Sequence, residues 1–513
     1  MRVVTTQQMR KLEALADKSG VSYKKLMDNA GMCLAQKIEF CAQKTIANPD
    51  IVFLCGSGNN AGDCFTAASL LRESSYNIYV CLLCGEPKTQ ISLEAYKSLR
   101  NVRIIDNYEG ALRIIDKAEI IVDGLFGTGF HGELSPELRT ILNKNKEAIK
   151  IAVDIPSGGN GDTGAACYGC FCADYTITFG YKKFGMTQYP LKNYCGKIEV
   201  CDIGIPDFCL QMLDEDLQEI DDSIITGIIK PRNPDSHKGT YGTVLCLTGS
   251  ASMPGAGVLS SRAALRCGAG LVKVCAVKED IPSLASVMPE AVYISMKSDK
   301  DGFYTADNIK KIESHLSSAQ AVLIGCGLGV TDETKKLVRE IILTADCPVV
   351  LDADGINCIA DCIDIISKAK SKIILTPHPK EMAGLLKCSA AQVQSDRLDK
   401  CRSFISENKN AVLVLKGAGT IIMDSKKAYI NNTGNPGMSC GGSGDVLSGM
   451  IASFAALKTD PFLCAVLGVN LHGRAGDAAA QRYSMSYMQP SDIISCLPDI
   501  FLKLEKAVNV KRK

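Results

Sequence analysis

The first segment whose residue types could do chemistry is CGSGNNAGD, from Cys55 to Asp63. It follows an apolar run typical of a buried strand (51–55) and precedes a helical pattern at 64–74. Glycines let the backbone turn tightly and approach a ligand, and a helix N-terminus favours anionic groups. By itself, however, the segment is equally well explained as a Gly/Asn turn.

Two further loops place oxygen-bearing side chains at the ends of predicted strands. Asp123 opens the glycine-rich loop 124–133, and Asp154 begins DIPSG, which contains Ser157. Strands of a parallel sheet end at one edge, so Asn60, Asp123 and Ser157 are expected to meet there. Oxygen ligands without His or Cys favour a hard cation but leave potassium, magnesium and calcium open. Asp154 is a candidate acid/base, although an aspartate alone is more often a helix cap or turn residue.

The second half carries its own reactive loop, GNPGMSCGGSGD, at 434–445. Gly and Ser before a helix offer several free backbone N–H groups to an anion such as phosphate. An aspartate at that place would repel a phosphate, unless Asp445 acts as a base on a hydroxyl brought to a transferring phosphoryl group. A capping carboxylate explains Asp445 equally well.

Four more loops of the second half could contribute to the same site. His378, in TPHPKE (376–381), could bind a substrate or simply be a structural histidine. The loop 416–420, KGAGT, could meet phosphates, although it lacks the Walker pattern. The loops GCGLG (325–329) and PGAG (254–257) are glycine-rich but weak signals by themselves.

These loops are held by strands that alternate with helices, which predicts parallel sheets covered on both faces. In the first half, helices are predicted at about 7–18 and 22–44, and strands at 51–55, 77–83, 102–105, 119–123 and 149–154. In the second half, strands are predicted at 243–249, 271–277, 321–325, 348–354, 372–378 and 411–417, followed by a helical tail from about 441. An acidic stretch at 209–222, predicted as a solvated helix or linker, divides the chain into domains at 1–215 and 225–513.

Composition narrows the class of protein. At 513 residues the chain is too long for one core, and 46% hydrophobic with 22% charged residues is ordinary for a globular protein. A net charge of +1 argues against nucleic-acid or membrane-surface partners. The N-terminal segment contains no signal-peptide core, and no stretch reaches the ~18 apolar residues of a membrane span, so we expect a soluble cytoplasmic protein.

The 24 cysteines are mostly scattered singly, as small apolar residues. One cluster, Cys167, Cys170 and Cys172, contains a CxxC spacing. A zinc site needs a second, suitably placed pair, which is missing, so structural or free thiols are the favoured interpretation.

In this order, the motifs NNAGD, DGLFGTG, VDIPSG and GDTG (161–164) resemble the NAD(P)H-hydrate epimerase family of the YjeF N-terminal type, over roughly the first 210 residues. The resemblance implies a Rossmann-like sheet sandwich and a potassium ion held by Asn60, Asp123 and Ser157. It makes Asp154 the acid/base and implies a substrate site lined by Asn59, Asn60, Ala61, Gly62, Asp63, Gly127, Thr128, Gly129, Phe130, His131, Gly132, Glu133 and Asp154. The family usually reads NNGGDG, so Ala61 and Cys64 are departures that bear on the epimerase activity.

SHKGTYG (236–242), GAGLVKV (268–274), LDADGIN (351–357), TPHPKE, VLKGAGT and GNPGMSCGGSGD together are similar to the NAD(P)H-hydrate dehydratase family, which has a ribokinase-like α/β/α fold. The resemblance spans nearly all of 225–513. It implies that the hydrated nucleotide contacts Ala256, Gly327, His378 and Asp445, and that the adenine nucleotide contacts Lys416, Gly417, Ala418, Gly419, Thr420 and Gly444.

The two resemblances predict a bifunctional repair enzyme for hydrated NADH and NADPH. The first half would interconvert the R and S epimers, and the second would dehydrate the S form, with Asp445 as the catalytic base. ADP is the expected donor by analogy, although the residues do not distinguish it from ATP, and magnesium is expected with it. The resemblance also favours a homo-oligomer. The alternatives are a hydroxymethylpyrimidine- or sugar-type kinase, and a first half that only binds a nucleotide or a partner protein.

Overall fold

The structure is a computed structural model that describes residues 1–71, 75–229 and 231–510, with side chains to residue 508. The last three residues of the predicted helix 64–74 lie outside the described residues. The chain folds into two compact units. The N-terminal unit is Arg2–Asp214, and the C-terminal unit is Met1 together with the chain from Glu215 onward.

The N-terminal unit alternates strands and helices. Its strands are β1 Val3–Val4, β2 Asp50–Cys55, β3 Asn77–Leu82, β4 Arg103–Ile105, β5 Ile120–Gly124, β6 Ile149–Val153, β7 Tyr175–Phe179, β8 Lys182–Lys183 and β9 Lys197–Cys201. Its helices are α1 Thr6–Lys18, α2 Tyr23–Ala42, α3 Asn59–Leu71, α4 Gln90–Lys97, α5 Tyr108–Ile115, α6 Pro136–Leu142 and α7 Phe208–Gln211.

Seven of these strands form one parallel sheet in the order β4-β3-β2-β5-β6-β7-β9. Successive side chains of β2 enter two different core clusters, with Phe53 in one and Leu54 in the other. Both faces of the sheet are therefore covered, which explains the nearly continuous apolar sequence of its strands. Strand order reverses between β2 and β5, where ligand sites of such sheets form.

The C-terminal unit follows the same principle with a larger sheet. Its strands are β10 Asp216–Glu219, β11 Thr243–Leu247, β12 Leu271–Val277, β13 Val292–Met296, β14 Ala321–Ile324, β15 Val349–Leu351, β16 Ile373–Leu375, β17 Ala411–Leu415, β18 Ile421–Met423 and β19 Lys427–Ile430. Its helices are α8 Asp222–Ile228, α9 Pro254–Arg266, α10 Ile281–Val287, α11 Ile309–Leu316, α12 Asp332–Thr344, α13 Asp354–Asn357, α14 Ile365–Lys368, α15 Pro379–Leu386, α16 Ala390–Ser395, α17 Arg397–Glu407, α18 Ser443–Ala456, α19 Pro461–Tyr483 and α20 Pro490–Val510.

These ten strands are ordered β10-β19-β18-β17-β16-β15-β14-β11-β12-β13. Only β18 runs antiparallel to its neighbours. Strand order reverses between β14 and β11, and α18 packs across this region against α9 and β14. The predicted α/β class is confirmed in both halves.

Three predictions of local structure were wrong in part. The acidic stretch 209–222 is not only helix and linker, because β10 lies within it and pairs with β19. Leu217 and Glu219 of β10 are buried, and this alternation is typical of a strand despite the acidic composition. The helix predicted from 64 begins at Asn59, so the NNAGD residues form its first turns. The last strands of the second half are also shorter than predicted, because their polar ends are loops of the site.

Among the described residues, no helix has both the length and the apolar character needed to cross a membrane.

Candidate active sites

The predicted cation ligands of the N-terminal unit lie together at the carboxyl ends of β2, β5 and β6. Asp123 is completely buried and accepts hydrogen bonds from Ser157 Oγ (2.6 Å) and Ser157 N (2.7 Å). Asn60 Nδ2 donates to the carbonyl oxygens of Phe126 (3.2 Å) and Val153 (3.1 Å), which tie α3 to the other two loops. Burial raises the pKa of Asp123 to about 6, and the hydrogen bonds from Ser157 and Leu125, which carry no charge, offset this rise only in part.

This environment fits a monovalent cation. It offers the buried carboxylate of Asp123, the hydroxyl of Ser157, the side-chain amide of Asn60 and two backbone carbonyl groups. All of these groups present oxygen ligands to a cation once the Asn60 amide is rotated so that its oxygen points inward. A cation at this place would offset the cost of burying the Asp123 charge.

Asp154 follows β6 in a left-handed backbone conformation (φ +64°), which is rare outside glycine and common at functional sites. Its Oδ1 forms an ion pair with Lys183 Nζ and accepts from Thr178 Oγ1 (3.1 Å). The Lys183 side chain is 1% exposed and also donates to Thr178 Oγ1 (3.1 Å) and the Phe179 carbonyl (3.0 Å). Sequence reasoning missed Lys183, and the only signal was a lysine pair in FGYKKFG, where a strand ends.

The remaining predicted residues of this site divide into buried and exposed groups. Ala61, Gly62 and Asp63 are buried in α3, and Ala61 and Cys64 belong to the apolar core. The Cβ that distinguishes Ala61 from the usual glycine therefore packs into the core. Glu133 lies on an exposed loop, where it pairs with Arg139 at 2.8 Å. The other predicted substrate residues are Asn59, which accepts from Thr89 Oγ1 (2.6 Å), and Gly127, Thr128, Gly129, Phe130, His131 and Gly132 on the half-buried to exposed loop after β5.

The C-terminal unit also gathers its predicted residues at the carboxyl ends of strands, beside the first turn of α18. Gly442 precedes this helix without a side-chain cap. The Ser443 N–H donates to the Cys440 carbonyl (3.3 Å), and the N–H groups that follow it in the first turn stay available to an anion. Because Gly444 has no side chain, a ligand can approach the backbone of this first turn closely. A Cβ at this position would lie 3.4 Å from Lys416 Nζ and 3.6 Å from Asp352 Oδ2.

Asp352 follows β15 and is the central residue that sequence reasoning did not single out. Its side chain is 1% exposed and accepts from Lys416 Nζ (2.7 Å) and Thr376 Oγ1 (2.8 Å). Ligand atoms of Cys326, Asp352 and Asp445 lie within 4.8 Å of one another. The pKa of Asp445 is raised to about 6, first by burial and then by the charge of Asp352. The position of Asp352 in the LDADGIN motif was the signal in the sequence that could have identified it.

The group formed by Cys326, Asp352 and Asp445 does not fit a magnesium site. The Lys416 ammonium already neutralises Asp352, and a thiol is a poor ligand for a hard cation.

The other predicted residues surround this centre. Ala256 and Gly327 are neighbours, since a Cβ at Gly327 would lie 2.8 Å from that of Ala256. His378 caps α15, and its Nδ1 accepts from the backbone of Lys380 (3.1 Å) and Glu381 (3.2 Å). The loop with Gly417, Ala418, Gly419 and Thr420 joins β17 to β18, and Gly417 and Ala418 are exposed.

The cysteines, including Cys167, Cys170 and Cys172, are free thiols. Cys170 is buried, Cys167 half-buried and Cys172 exposed.

Comparison with known proteins identifies similar chains for both units. Residues 23–185 match the family described as YjeF-related protein N-terminus, and residues 244–499 match the NAD(P)H-hydrate dehydratase family. The chain is 35% identical to a bifunctional NAD(P)H-hydrate repair enzyme of Moorella thermoacetica, covering 99% of this chain and 98% of the relative. Its identity to the enzyme of the same description in Escherichia coli is 33%, over 94% and 91% of the two chains. A ribokinase-like superfamily protein of Enterococcus faecalis is similar in structure, with 25% identity, a TM-score of 0.50, and coverage of 56% of this chain and 96% of that one.

Proposed function

Because the chain belongs to the family of bifunctional NAD(P)H-hydrate repair enzymes, we propose that its N-terminal unit epimerises hydrated NADH and NADPH and that its C-terminal unit dehydrates the S epimer with ADP. The observation that carries this proposal is the similarity along almost the entire chain to relatives described as bifunctional NAD(P)H-hydrate repair enzymes. A kinase with an accessory N-terminal module is not favoured, because both units match repair-enzyme domains.

In the dehydratase, Asp445 takes the proton of the ring hydroxyl of the hydrate, and the hydroxyl oxygen attacks the terminal phosphorus of ADP. The uncapped N–H groups at the start of α18 stabilise the charge that develops on the transferring phosphoryl group. AMP leaves, and the phosphate on the ring is then expelled with a proton from the neighbouring carbon, which restores the double bond. Ala256, Gly327 and His378 would bind the hydrate, and Lys416 to Thr420 with Gly444 would bind the nucleotide. Magnesium would enter on the nucleotide's own phosphates.

In the epimerase, Asp154 is the proton acceptor, held by Lys183 and Thr178. Asn60, Asp123 and Ser157 would hold a potassium ion, which when bound fixes the loops after β5 and β6 in position. Asn59 to Asp63 and Gly127 to Glu133 would line the substrate.

We further propose that the domains are 1–215 and 225–513, and that the protein works as a homo-oligomer in the cytoplasm. Its substrate is a small molecule, and no nucleic-acid or membrane partner is proposed.

The test uses the full chain and a mixture of both NADPH-hydrate epimers, with potassium and either ADP or ATP. Complete recovery of reduced-nicotinamide absorbance is expected, and the faster nucleotide identifies the donor. Asp154→Asn and Asp445→Asn serve as matched controls for each other. The first should recover only the S fraction rapidly, and the second should recover none while still interconverting the epimers. Formation of a stable phosphorylated product without recovery of absorbance would refute the proposal.

A further inference from the structure

Three carboxyl groups interact electrostatically with one another and with a single buried ammonium group. They are Asp154 after β6, Asp63 on α3, Glu13 on α1 and the buried Lys183. Lys183 donates its three N–H groups to Asp154, Thr178 and Phe179. An ammonium group has only three such donors, so Lys183 has none left for Asp63 or Glu13.

Asp63 lies beside this ion pair without taking part in it. It lies one helical turn after Asn60 and therefore shares its face of α3, and Asn60 contacts the carbonyl of Val153, the residue before Asp154. Asp63 is 9% exposed. Neither its carboxyl group nor that of Glu13 has a hydrogen-bond partner within residues 1–71, 75–229 and 231–510.

The charges of the protein's own side chains leave one carboxyl group of this cluster without a cation. Lys183 offsets the charge of one carboxylate, and Arg10 faces Glu13 from the exposed side of α1. Ionising Asp63 as well would add an unpaired charge in a buried position next to two carboxylates, which is strongly unfavourable. Burial is the main cause that raises the pKa of Asp63 well above its ordinary value, followed by the charges of Asp154 and Glu13.

We propose that Asp63 is a second catalytic residue of the epimerase, the proton donor that complements Asp154 as acceptor, and that Glu13 is a positioning residue that keeps Asp63 protonated. Two neighbouring carboxyl groups thus have opposite roles because one is paired with a cation and the other is not. This inference rests on the epimerase function proposed above.

The hydrate carries its hydroxyl on C6, next to the ring nitrogen N1, so the carbon can be inverted by opening and closing the ring. The Asp154 carboxylate takes the hydroxyl proton, a C6=O double bond forms, and the C6–N1 bond breaks. Its electron pair goes to N1, which receives the proton of Asp63. After rotation of the aldehyde, N1 returns that proton to Asp63 as its electron pair attacks the other face of C6. Asp154 then returns its proton to the oxygen, and both groups are restored.

The alternative way to invert C6, through loss of the hydroxyl group as water, is less suitable. It would leave a cation at C6 that becomes reduced nicotinamide by losing one proton from C5. The chain would then need no phosphoryl transfer to dehydrate its substrate.

The experiment measures interconversion of the purified NADPH-hydrate epimers by the full chain, with potassium and without nucleotide, so that the dehydratase is idle. Asp63→Asn should lower kcat by about 10²–10⁴-fold, the typical contribution of a proton-transferring group, with little change in KM. Glu13→Gln should move the high-pH limb of the rate to lower pH, because removing its negative charge makes Asp63 release its proton more readily. Glu39→Gln, an equal change at an exposed site on α2, should leave the profile unchanged. Thermal melting by circular dichroism checks that each variant is folded.

The outcomes separate this inference from the proposed function. A wild-type chain that fails to interconvert the epimers refutes the epimerase function itself. An active wild type whose Asp63→Asn variant is folded and retains kcat within about threefold would overturn the role of Asp63. If Asp63→Asn does not fold, the Glu13→Gln profile decides, and an unmoved high-pH limb overturns the inference.

Discussion

Replacing Asp352 by Asn tests whether this buried carboxylate controls the proton affinity of the dehydratase base. Its oxygen lies within 4.8 Å of a carboxylate oxygen of Asp445. After burial, the charge of Asp352 is the largest cause that raises the pKa of Asp445 to about 6, and Lys416 acts in the opposite direction. The substitution removes a negative charge and keeps the shape of the side chain.

The size of the effect follows from this geometry. Two unit charges within 4.8 Å interact by about 3 kcal/mol at an effective dielectric constant of about 20. Lys416 lies 2.7 Å from Asp352 and screens part of that repulsion. We therefore expect the pKa of Asp445 to fall by about 1, equivalent to ~1.4 kcal/mol.

A base works only in its ionised form, so a lower pKa extends activity to lower pH. The assay records initial rates of absorbance recovery from the S hydrate at saturating ADP, between about pH 5 and 8. The low-pH limb of Asp352→Asn should lie about one pH unit below that of the wild type. Thr376→Val is the matched control, because it removes a 2.8 Å hydrogen bond to Asp352 without changing any charge. If the limb of Asp352→Asn stays in place or moves to higher pH, the electrostatic coupling is refuted, whatever happens to the maximal rate.

Three further predictions concern other parts of the two sites. Lys183→Met should lower the free energy of unfolding by about 3–5 kcal/mol, because it leaves Asp154 buried without its cation; urea denaturation measures this, and an unchanged midpoint would contradict it. Potassium should raise the melting temperature relative to choline at equal ionic strength, and Asp123→Asn should abolish this difference; equal melting of the wild type in both salts would argue against a potassium site. Arg397→Ala should raise the KM for ADP about tenfold, because the buried guanidinium donates to the Lys416 carbonyl (3.3 Å) and supports the loop 416–420, which we propose binds the nucleotide. The epimerase rate of the same variant provides the control, and an unchanged KM would exclude this role.

Much of the fold was accessible from the sequence, because its strands are buried on both faces. A strand such as β2 needs apolar residues on successive positions, and this leaves a short uninterrupted apolar run that is easy to recognise. The acidic strand β10 shows the limit of this reasoning. It is held as an edge strand by pairing with β19, more than 200 residues away in the chain, so its local composition gave little indication of it.

The two candidate sites were also only partly predictable from the sequence. Sequence alone indicated the motif residues Asp154 and Asp445. For Asp154 it also predicted the edge of the sheet, because strand ends of a parallel sheet share one edge. It could not determine which charges face those residues. Lys183 reaches Asp154 across 29 positions and Lys416 reaches Asp352 across 64, and neither pair shares a motif. Only the tertiary structure decided these pairings, because the proton affinity of a buried carboxyl group depends on the charges and dipoles packed around it, and that packing is a property of the folded chain as a whole.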